Sequence, residues 1–190
     1  MIQNSFRVSS GLYRGFKFKF PSIEGLRPTK SAVKETLFNW LQFSIHGSKV
    51  LDLFSGSGSL AFEAISREAM SVTIVEKNKT AFDFLKKNAN TLNSNLAIQL
   101  IKDDAFSYLD RIKNNIFDII FLDPPFFKNY LELCLSKLNK NKIIGKKSKI
   151  YIESEFEISE NFLKKNLMSN FEVKKNKKSG DVYYSLIEII

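Results

Sequence analysis

Strand-like and helix-like segments alternate along the chain from Lys49 onward, and this alternation restricts the possible folds more than any other feature. Apolar runs typical of buried strands cover residues 50–54, 72–76, 96–101, 117–122 and 149–153. The first four runs each lead into a helical pattern, which predicts a parallel sheet covered by helices on both faces. Residues 171–174 and 183–190 flank a turn at Gly180 and predict a C-terminal antiparallel hairpin. We therefore expect an α/β fold with a Rossmann-like, doubly wound, mostly parallel seven-stranded sheet.

The first 46 residues follow a different pattern. Apolar and polar residues alternate in the segments 6–9 and 16–20 around Gly11 and Gly15, which predicts a small N-terminal β-hairpin. Pro28 and Thr29 then open an amphipathic helix. We expect one domain over residues 1–190, with the hairpin at 1–27, the leading helix at 28–46 and the Rossmann-like core at 47–190.

Charge and composition narrow the classes of partner. The 190-residue chain has a net charge of +9 and a pI near 9.5, which favours a polyanionic partner. Three of its five arginines, Arg7, Arg14 and Arg27, lie in the hairpin, where their forked side chains suit phosphates and base edges. One cysteine excludes a disulfide framework, and no apolar stretch approaches the roughly 18 residues of a membrane span. The sequence thus predicts a cytoplasmic protein without a membrane association.

The tetrapeptide at residues 123–126, DPPF, follows the fourth predicted strand. Two consecutive prolines fix the backbone and remove two N–H donors, so main-chain carbonyls project without local amide partners. Acceptors without donors suit a substrate that carries an amino group. The exocyclic amine of a nucleobase can donate to Asp123 and to the carbonyl of Pro124, while Phe126 offers a flat face to the base. We predict a catalytic loop formed by Asp123, Pro124, Pro125 and Phe126.

Polar residues also follow the other strands at their carboxyl ends, where open parallel sheets bind ligands. Gly56 and Gly58 follow the first strand, where glycines let the backbone turn tightly and approach a ligand. Glu76 ends the second strand, where a carboxylate can accept both hydroxyls of a ribose. Asp104 follows the third strand and can accept from an adenine amino group. Together these positions predict a nucleoside-containing cofactor.

The glycines leave two cofactors open, because residues 56–61 with Glu76 also satisfy the G-x-G-x-x-[GA] fingerprint of nicotinamide-dependent oxidoreductases. Asp52 helps to decide between them. A carboxylate just before the turn disfavours a pyrophosphate and favours the cationic amino end of S-adenosylmethionine. Methyl transfer to an amine also needs no proton relay, and the only histidine, His46, precedes Gly47 at a predicted helix end. We expect S-adenosylmethionine to contact Asp52, Phe54, Gly56, Gly58, Glu76, Asp104, Ala105 and Asp123, and we expect no metal.

Nearly the whole chain resembles the class I methyltransferases, and among them the bacterial 16S rRNA guanine-N2 methyltransferases of the RsmD type. The resemblance rests on Arg7 to Gly15, LRPT at 26–29, VKETLFN at 33–39, DLFSGSG at 52–58, EAISR at 63–67, DPPF at 123–126 and YIESE at 151–155. The arginine-bearing hairpin and the LRPT segment are its specific parts, since other amino-methyltransferases share the glycine turn and the DPPF-like loop.

The resemblance implies methylation of the N2 amino group of a guanine in 16S rRNA, with RNA contacts by Arg7, Arg14 and Arg27. We expect Lys17 and Thr29 to join these contacts, the substrate to be a small-subunit particle, and the enzyme to be a monomer. Ser31 and Ala32 stand where the family has an acid and an arginine, and Phe16 stands where an arginine is common. Lys17, Lys19, Lys30 and Lys34 can replace the lost charge. A DNA adenine or a protein glutamine remains an alternative substrate, and a binding-only protein is a further alternative.

Overall fold

Helices and strands alternate from residue 49 to residue 154, as the sequence predicts. The computed structural model describes residues 3–26, 28–92 and 97–190. The elements are β1 Gln3–Arg7, β2 Lys17–Pro21, α1 Ser31–Trp40, β3 Lys49–Asp52, α2 Ser59–Ser66, β4 Ser71–Val75, α3 Lys79–Asn90, β5 Ala97–Ile101, α4 Ala105–Arg111, β6 Ile119–Leu122, α5 Tyr130–Lys140, β7 Lys149–Ser154, α6 Glu160–Asn166, β8 Phe171–Ser179 and β9 Val182–Ile189.

Seven strands form one mostly parallel sheet in the order β5-β4-β3-β6-β7-β9-β8. The neighbouring pairs β3–β4, β4–β5 and β6–β7 are parallel, whereas β9 runs antiparallel to both β7 and β8. The predicted fold class and the C-terminal hairpin are therefore confirmed. The short helix α6 has no counterpart in the sequence analysis, and Ser159 caps it by accepting the N–H of Phe162 at 3.2 Å.

The described chain divides into two compact units, residues 1–105 and residues 106–190. In the first unit, every residue of α2 is buried. The predicted N-terminal hairpin, β1 paired antiparallel with β2, covers part of this helix. Phe6 and Phe18 lie opposite each other in the hairpin, and both pack on Phe62 of α2 with ring centroids 6.2 and 4.5 Å away. A helix that is buried on every side needs such a cover because it has no face for water.

The charged side chain of Glu63 in α2 also holds the hairpin against this helix. Its carboxylate is fully buried and accepts the amide and hydroxyl of Ser9 at 2.9 and 2.6 Å, and the amide of Ser10 at 3.1 Å. Lys34 of α1 and Arg67 each place a cationic nitrogen 3.0 Å from it. Burial alone would raise the pKa of Glu63, but the hydrogen bonds from Ser9 and the charge of Lys34 hold it below its usual value.

The tip of the hairpin approaches the end of the same helix. The main-chain carbonyl of Ser66 accepts the amide of Leu12 at 2.8 Å, and its hydroxyl accepts the amide of Tyr13 at 2.9 Å. Gly11 has a φ of +83°, and a side chain there would place its Cβ 1.9 Å from the carbonyl oxygen of Ser66. Only glycine allows this close approach of two backbones.

In the second unit, all four residues of β6 are buried, as expected for an inner parallel strand. The last strand in the sheet order, β8, carries exposed lysines at 174, 175, 177 and 178, a composition that discourages pairing with a further chain. Lys174 is paired with Glu172 and Glu188. No helix among the described residues is long and apolar enough to cross a membrane.

The Glu63 network predicts a large stability effect. Glu63→Ala should lower the free energy of unfolding at pH 7 by about 3–5 kcal/mol, because it leaves the charge of Lys34 buried without a partner. Since the pKa of Glu63 is lowered from 4.5, its contribution is present above that pH and is lost as the pH falls through the folded-state pKa. Urea unfolding at pH 7 and at pH 4 measures both effects.

The control is Glu35→Ala on the exposed face of α1. It should change stability by less than about 0.5 kcal/mol at either pH. Equal stability of Glu63→Ala and Glu35→Ala at pH 7 would show that the network does not hold the first unit together.

Candidate active site

The turn between β3 and α2 contains the two predicted glycines. Both have left-handed backbones, with φ of +52° at Gly56 and +82° at Gly58, and the amide of Gly58 closes the turn on the carbonyl of Ser55 at 2.7 Å. A Cβ at Gly58 would lie 2.5 Å from Leu85 and 2.8 Å from Phe62, whereas at Gly56 no described residue lies closer than 4.0 Å. Gly58 is thus required by packing within the protein, and Gly56 leaves the open space that a ligand needs.

Glu76 follows β4 and holds the glycine turn. One oxygen of its carboxylate accepts the amide of Gly56 at 2.8 Å, and the other accepts the amide of Asn78 at 2.6 Å. The side chain remains partly exposed. Because an ionised carboxylate has about four acceptor positions, each oxygen can accept one further hydroxyl. The predicted contact with a ribose is therefore compatible with the position of Glu76.

Asp52, the last residue of β3, is buried with 3% of its surface exposed. Its Oδ2 atom accepts no hydrogen bond from any residue that the structure describes. Burial raises the pKa of Asp52 to about 7; Ser55 acts in the opposite direction, and the charge of Glu76 raises the pKa further. A buried carboxylate with an open acceptor fits a cationic group, which is the part of S-adenosylmethionine that the sequence assigns to it.

Asp104 completes this edge of the first unit. Because β3, β4 and β5 are parallel neighbours, Asp52, Glu76 and Asp104 all leave the same edge of the sheet. Asp104 is partly exposed, with the ammonium of Lys77 4.0 Å from its carboxylate. Phe54 is partly exposed in the glycine turn, and Ala105 is buried at the first position of α4. The structure therefore brings the predicted cofactor residues of this unit to one edge.

The DPPF segment follows β6 in the second unit. Asp123 is partly exposed, Pro124 is buried, Pro125 is exposed and Phe126 is partly exposed. The chain therefore presents the carboxylate and one aromatic ring of the segment to solvent while the first proline anchors it. These four residues lie at the carboxyl end of β6, where the sequence analysis predicts a ligand.

The neighbouring strand β7 supplies residues that the sequence analysis names only as part of a resemblance. The hydroxyl of Tyr151 donates to Glu153 at 2.8 Å, and Glu155 accepts the amide of Phe127 at 2.7 Å. Burial raises the pKa of Tyr151 well above its usual value, and the charges of Glu153 and Asp123 raise it further. The feature that could have identified these residues is their position at the end of a strand that pairs in parallel with β6.

The predicted RNA-binding residues form two groups in the first unit. Arg7, Arg14 and Lys17 are exposed on the hairpin, and Arg7 lies directly opposite Lys17 in the register of β1 and β2. Thr29 is partly buried, and its amide and hydroxyl meet the hydroxyl of Ser59 at 3.3 Å, at the start of α2. Arg27 lies outside the described residues.

Lys34 does not serve the role that the sequence analysis gives it. Only 3% of its side chain is exposed. Its ammonium pairs with Glu63, donates to the main-chain carbonyl of Arg7 at 2.8 Å and lies over the ring of Phe6. It cannot present charge to RNA. The prediction that Lys34 replaces a lost positive charge is therefore wrong, because the side chain belongs to the core of the unit.

The chain is similar to known proteins over nearly its whole length. The sequence model of the family described as conserved hypothetical protein 95 matches residues 6–188. Ribosomal RNA small subunit methyltransferase D of Haemophilus influenzae is 42% identical over 96% of this chain and 93% of its own length, and that of Escherichia coli K12 is 37% identical over 96% and 89%. The solved structure of Escherichia coli yhhF has a TM-score of 0.86 at 35% identity and covers 98% of both chains. The chain therefore belongs to the conserved hypothetical protein 95 family, the RsmD family.

Proposed function

We propose that this chain methylates the exocyclic N2 amino group of a guanine in 16S ribosomal RNA, with S-adenosylmethionine as the methyl donor. Its relatives are small-subunit rRNA methyltransferases, similar over nearly the whole chain. The observation that carries the cofactor assignment is Asp52, a buried carboxylate with an open acceptor beside the glycine turn. We also propose a cytoplasmic location, which a ribosomal substrate would require.

Different residues would contact the two ends of the cofactor. Asp52 would hold the amino end, and Glu76 would accept the ribose hydroxyls while it keeps the glycine turn in place. Asp104 would accept from the adenine. When bound, the cofactor supplies an electrophilic methyl group. The residues of this edge bind and orient it, and none of them needs to move a proton.

The substrate amine would meet the DPPF segment. Asp123 and the carbonyl of Pro124 accept its hydrogens, which orients the nitrogen and stabilises the positive charge that develops on it. Tyr151 stays neutral at physiological pH because its pKa is raised, and its proton is directed to Glu153. The negative charge at the end of β6 thus comes from Asp123, while Phe126 offers its ring to the guanine.

The outer face of the hairpin would contact the RNA. Residues opposite each other in an antiparallel pair point to the same side, so Arg7 and Lys17 place two positive charges together. Lys19, opposite Ser5, is exposed in the same ladder. Like charges placed side by side destabilise a hairpin unless an anion binds them, which favours a phosphate backbone. We take the enzyme to act as a monomer on a small-subunit particle.

Tritiated methyl transfer tests the proposed function. The substrates are small ribosomal subunits that lack the modification and the naked 16S rRNA extracted from them, followed by digestion to nucleosides. We expect label in N2-methylguanosine, with the particle as the better substrate. Label in another nucleoside, in DNA adenine or in a protein glutamine would replace this assignment, and binding of S-adenosylmethionine without any transfer would identify a binding-only protein.

The raised pKa of Asp52 predicts a pH dependence of cofactor binding. A cationic amino group pairs with the ionised carboxylate, so affinity should rise between pH 6 and pH 8 as Asp52 loses its proton near pH 7. Calorimetry at pH 7 in two buffers of different ionisation enthalpy should detect proton release. Asp52→Asn should bind about ten- to hundredfold more weakly and release fewer protons. A variant with parental affinity and proton release would remove Asp52 from the site.

Asp123→Ala should lower kcat strongly and change cofactor affinity little. The carboxylate stabilises the transition state, in which the nitrogen becomes positive, more than it stabilises the bound cofactor. Loss of one such electrostatic partner costs roughly 10²–10³ in rate. Asp123→Asn keeps an acceptor oxygen and should retain partial activity. Single-turnover rates at saturating substrate measure this, with Asp181→Ala at the exposed turn between β8 and β9 as control. Parental rates in Asp123→Ala would overturn the catalytic role of the loop.

Arg7→Ala and Arg14→Ala should each weaken RNA binding and leave cofactor affinity unchanged, because they remove phosphate contacts. Each substitution should reduce the slope of log affinity against log salt concentration by about one. Filter binding at several salt concentrations provides the measurement. Arg111→Ala removes the same charge from an exposed position in the other unit and serves as control. If all three variants show the same slope, the hairpin is not an RNA-binding element.

A further inference from the structure

Phe127, directly after the DPPF segment, exposes 83% of its surface to solvent. Its ring contacts Phe126 edge-on, with centroids 6.4 Å apart and planes at 88°. An edge contact leaves both faces of one ring available. Large apolar side chains at this level of exposure, next to catalytic residues, are suited to bind a flat apolar surface.

The backbone of Phe127 is held in an unusual conformation. Its φ is +61°, in the left-handed region that bulky residues rarely occupy. The amide of Phe127 donates to Glu155 at 2.7 Å, a bond from the segment after β6 to the end of β7. A charge-assisted bond of this length can hold a strained residue in place. The exposed position of the ring is thus fixed by the backbone.

We propose that Phe127 stacks on a nucleobase of the RNA next to the methylated guanine, and that Glu155 is the positioning residue for this contact. The inference rests on the proposed function. The two rings stand perpendicular, so parallel stacked bases cannot cover both of them. If Phe126 receives the guanine that leaves its stack, Phe127 receives a neighbouring base that this guanine has left uncovered. Exposed Lys128 follows directly and suits the phosphate between them.

The first test compares RNA affinity among variants at this position. Phe127→Ala should bind small subunits about five- to hundredfold more weakly, the range for loss of one base-aromatic stack. Phe127→Tyr, which keeps an aromatic face, should bind as the parent does. Phe43→Ala is the matched control, since Phe43 is a phenylalanine with 95% exposure in the other unit. Equal affinity of Phe127→Ala and Phe43→Ala would overturn the proposal.

Fluorescence gives a direct signal of stacking. Trp40 is the only tryptophan of the chain, so Trp40→Phe removes the background and Phe127→Trp then places a single reporter on the segment. We expect strong quenching by RNA, because the indole stacks on a base. If the RNA binds without any change in the emission of this reporter, no base lies on residue 127.

Glu155 is tested by rescue and by coupling. Glu155→Ala should weaken RNA binding, whereas Glu155→Gln keeps an oxygen that accepts the amide of Phe127 and should restore most of the affinity. Because both residues serve one contact, the double variant with Phe127→Ala should bind no more weakly than Phe127→Ala alone. Additive losses would show that Glu155 acts elsewhere and would overturn its positioning role.

The outcomes separate this inference from the proposed function. If the parent transfers methyl groups to rRNA and Phe127→Ala binds RNA with parental affinity, the stacking contact is wrong and the proposed function is retained. If RNA quenches the reporter at residue 127 but the parent transfers no methyl group to RNA, the stacking contact is retained and the proposed function is wrong.

Discussion

The buried carboxylate of Glu63 is the interaction on which the first unit depends. It lies in α2, a helix that begins directly after the glycine turn and ends against the tip of the N-terminal hairpin. Through Ser9, Ser10 and Lys34 it ties the hairpin and α1 to that helix. One helix therefore adjoins the glycine turn at one end and anchors the N-terminal hairpin along its length. A buried charge with five donors around it can fix this geometry because its loss leaves Lys34 unpaired.

Two buried carboxylates of the same unit show how partners decide the role of an acid. Glu63 and Asp52 are both buried, and burial by itself acts to raise the pKa of each. Hydrogen bonds and the charge of Lys34 reverse this effect at Glu63, whose pKa is lowered. Asp52 keeps an oxygen without a donor among the described residues, and its pKa is near 7. The first acid is satisfied by its own fold, and the second has an open acceptor that suits the cationic ligand we propose for it.

Local patterns allowed the sequence to predict the alternating elements, both hairpins and the edge of the sheet where Asp52, Glu76 and Asp104 lie. Contacts between distant segments leave no such pattern. Lysine is a residue type typical of protein surfaces, and only the pairing of Lys34 with Glu63, 29 positions away, places this side chain in the core. Phe127 and Glu155 are likewise joined by a hydrogen bond between residues 28 positions apart, in which the amide of Phe127 donates to the carboxylate of Glu155. The helix α6 was missed because its only two apolar residues, Phe162 and Leu163, are adjacent and show no helical period.

The chemistry of the DPPF segment follows from the donors that it lacks. Pro124 and Pro125 have no N–H group, and the amide of Phe127 already donates a hydrogen bond to Glu155. The acceptors at Asp123 and the carbonyl of Pro124 thus face little competition from these nearby amides. A hydroxyl substrate brings one hydrogen, whereas an exocyclic amine brings two and can satisfy the carboxylate and the carbonyl together. Under the proposed function, an arrangement of two acceptors would favour an amino group, and Glu155 would contribute to this selectivity by occupying a nearby donor without touching the substrate.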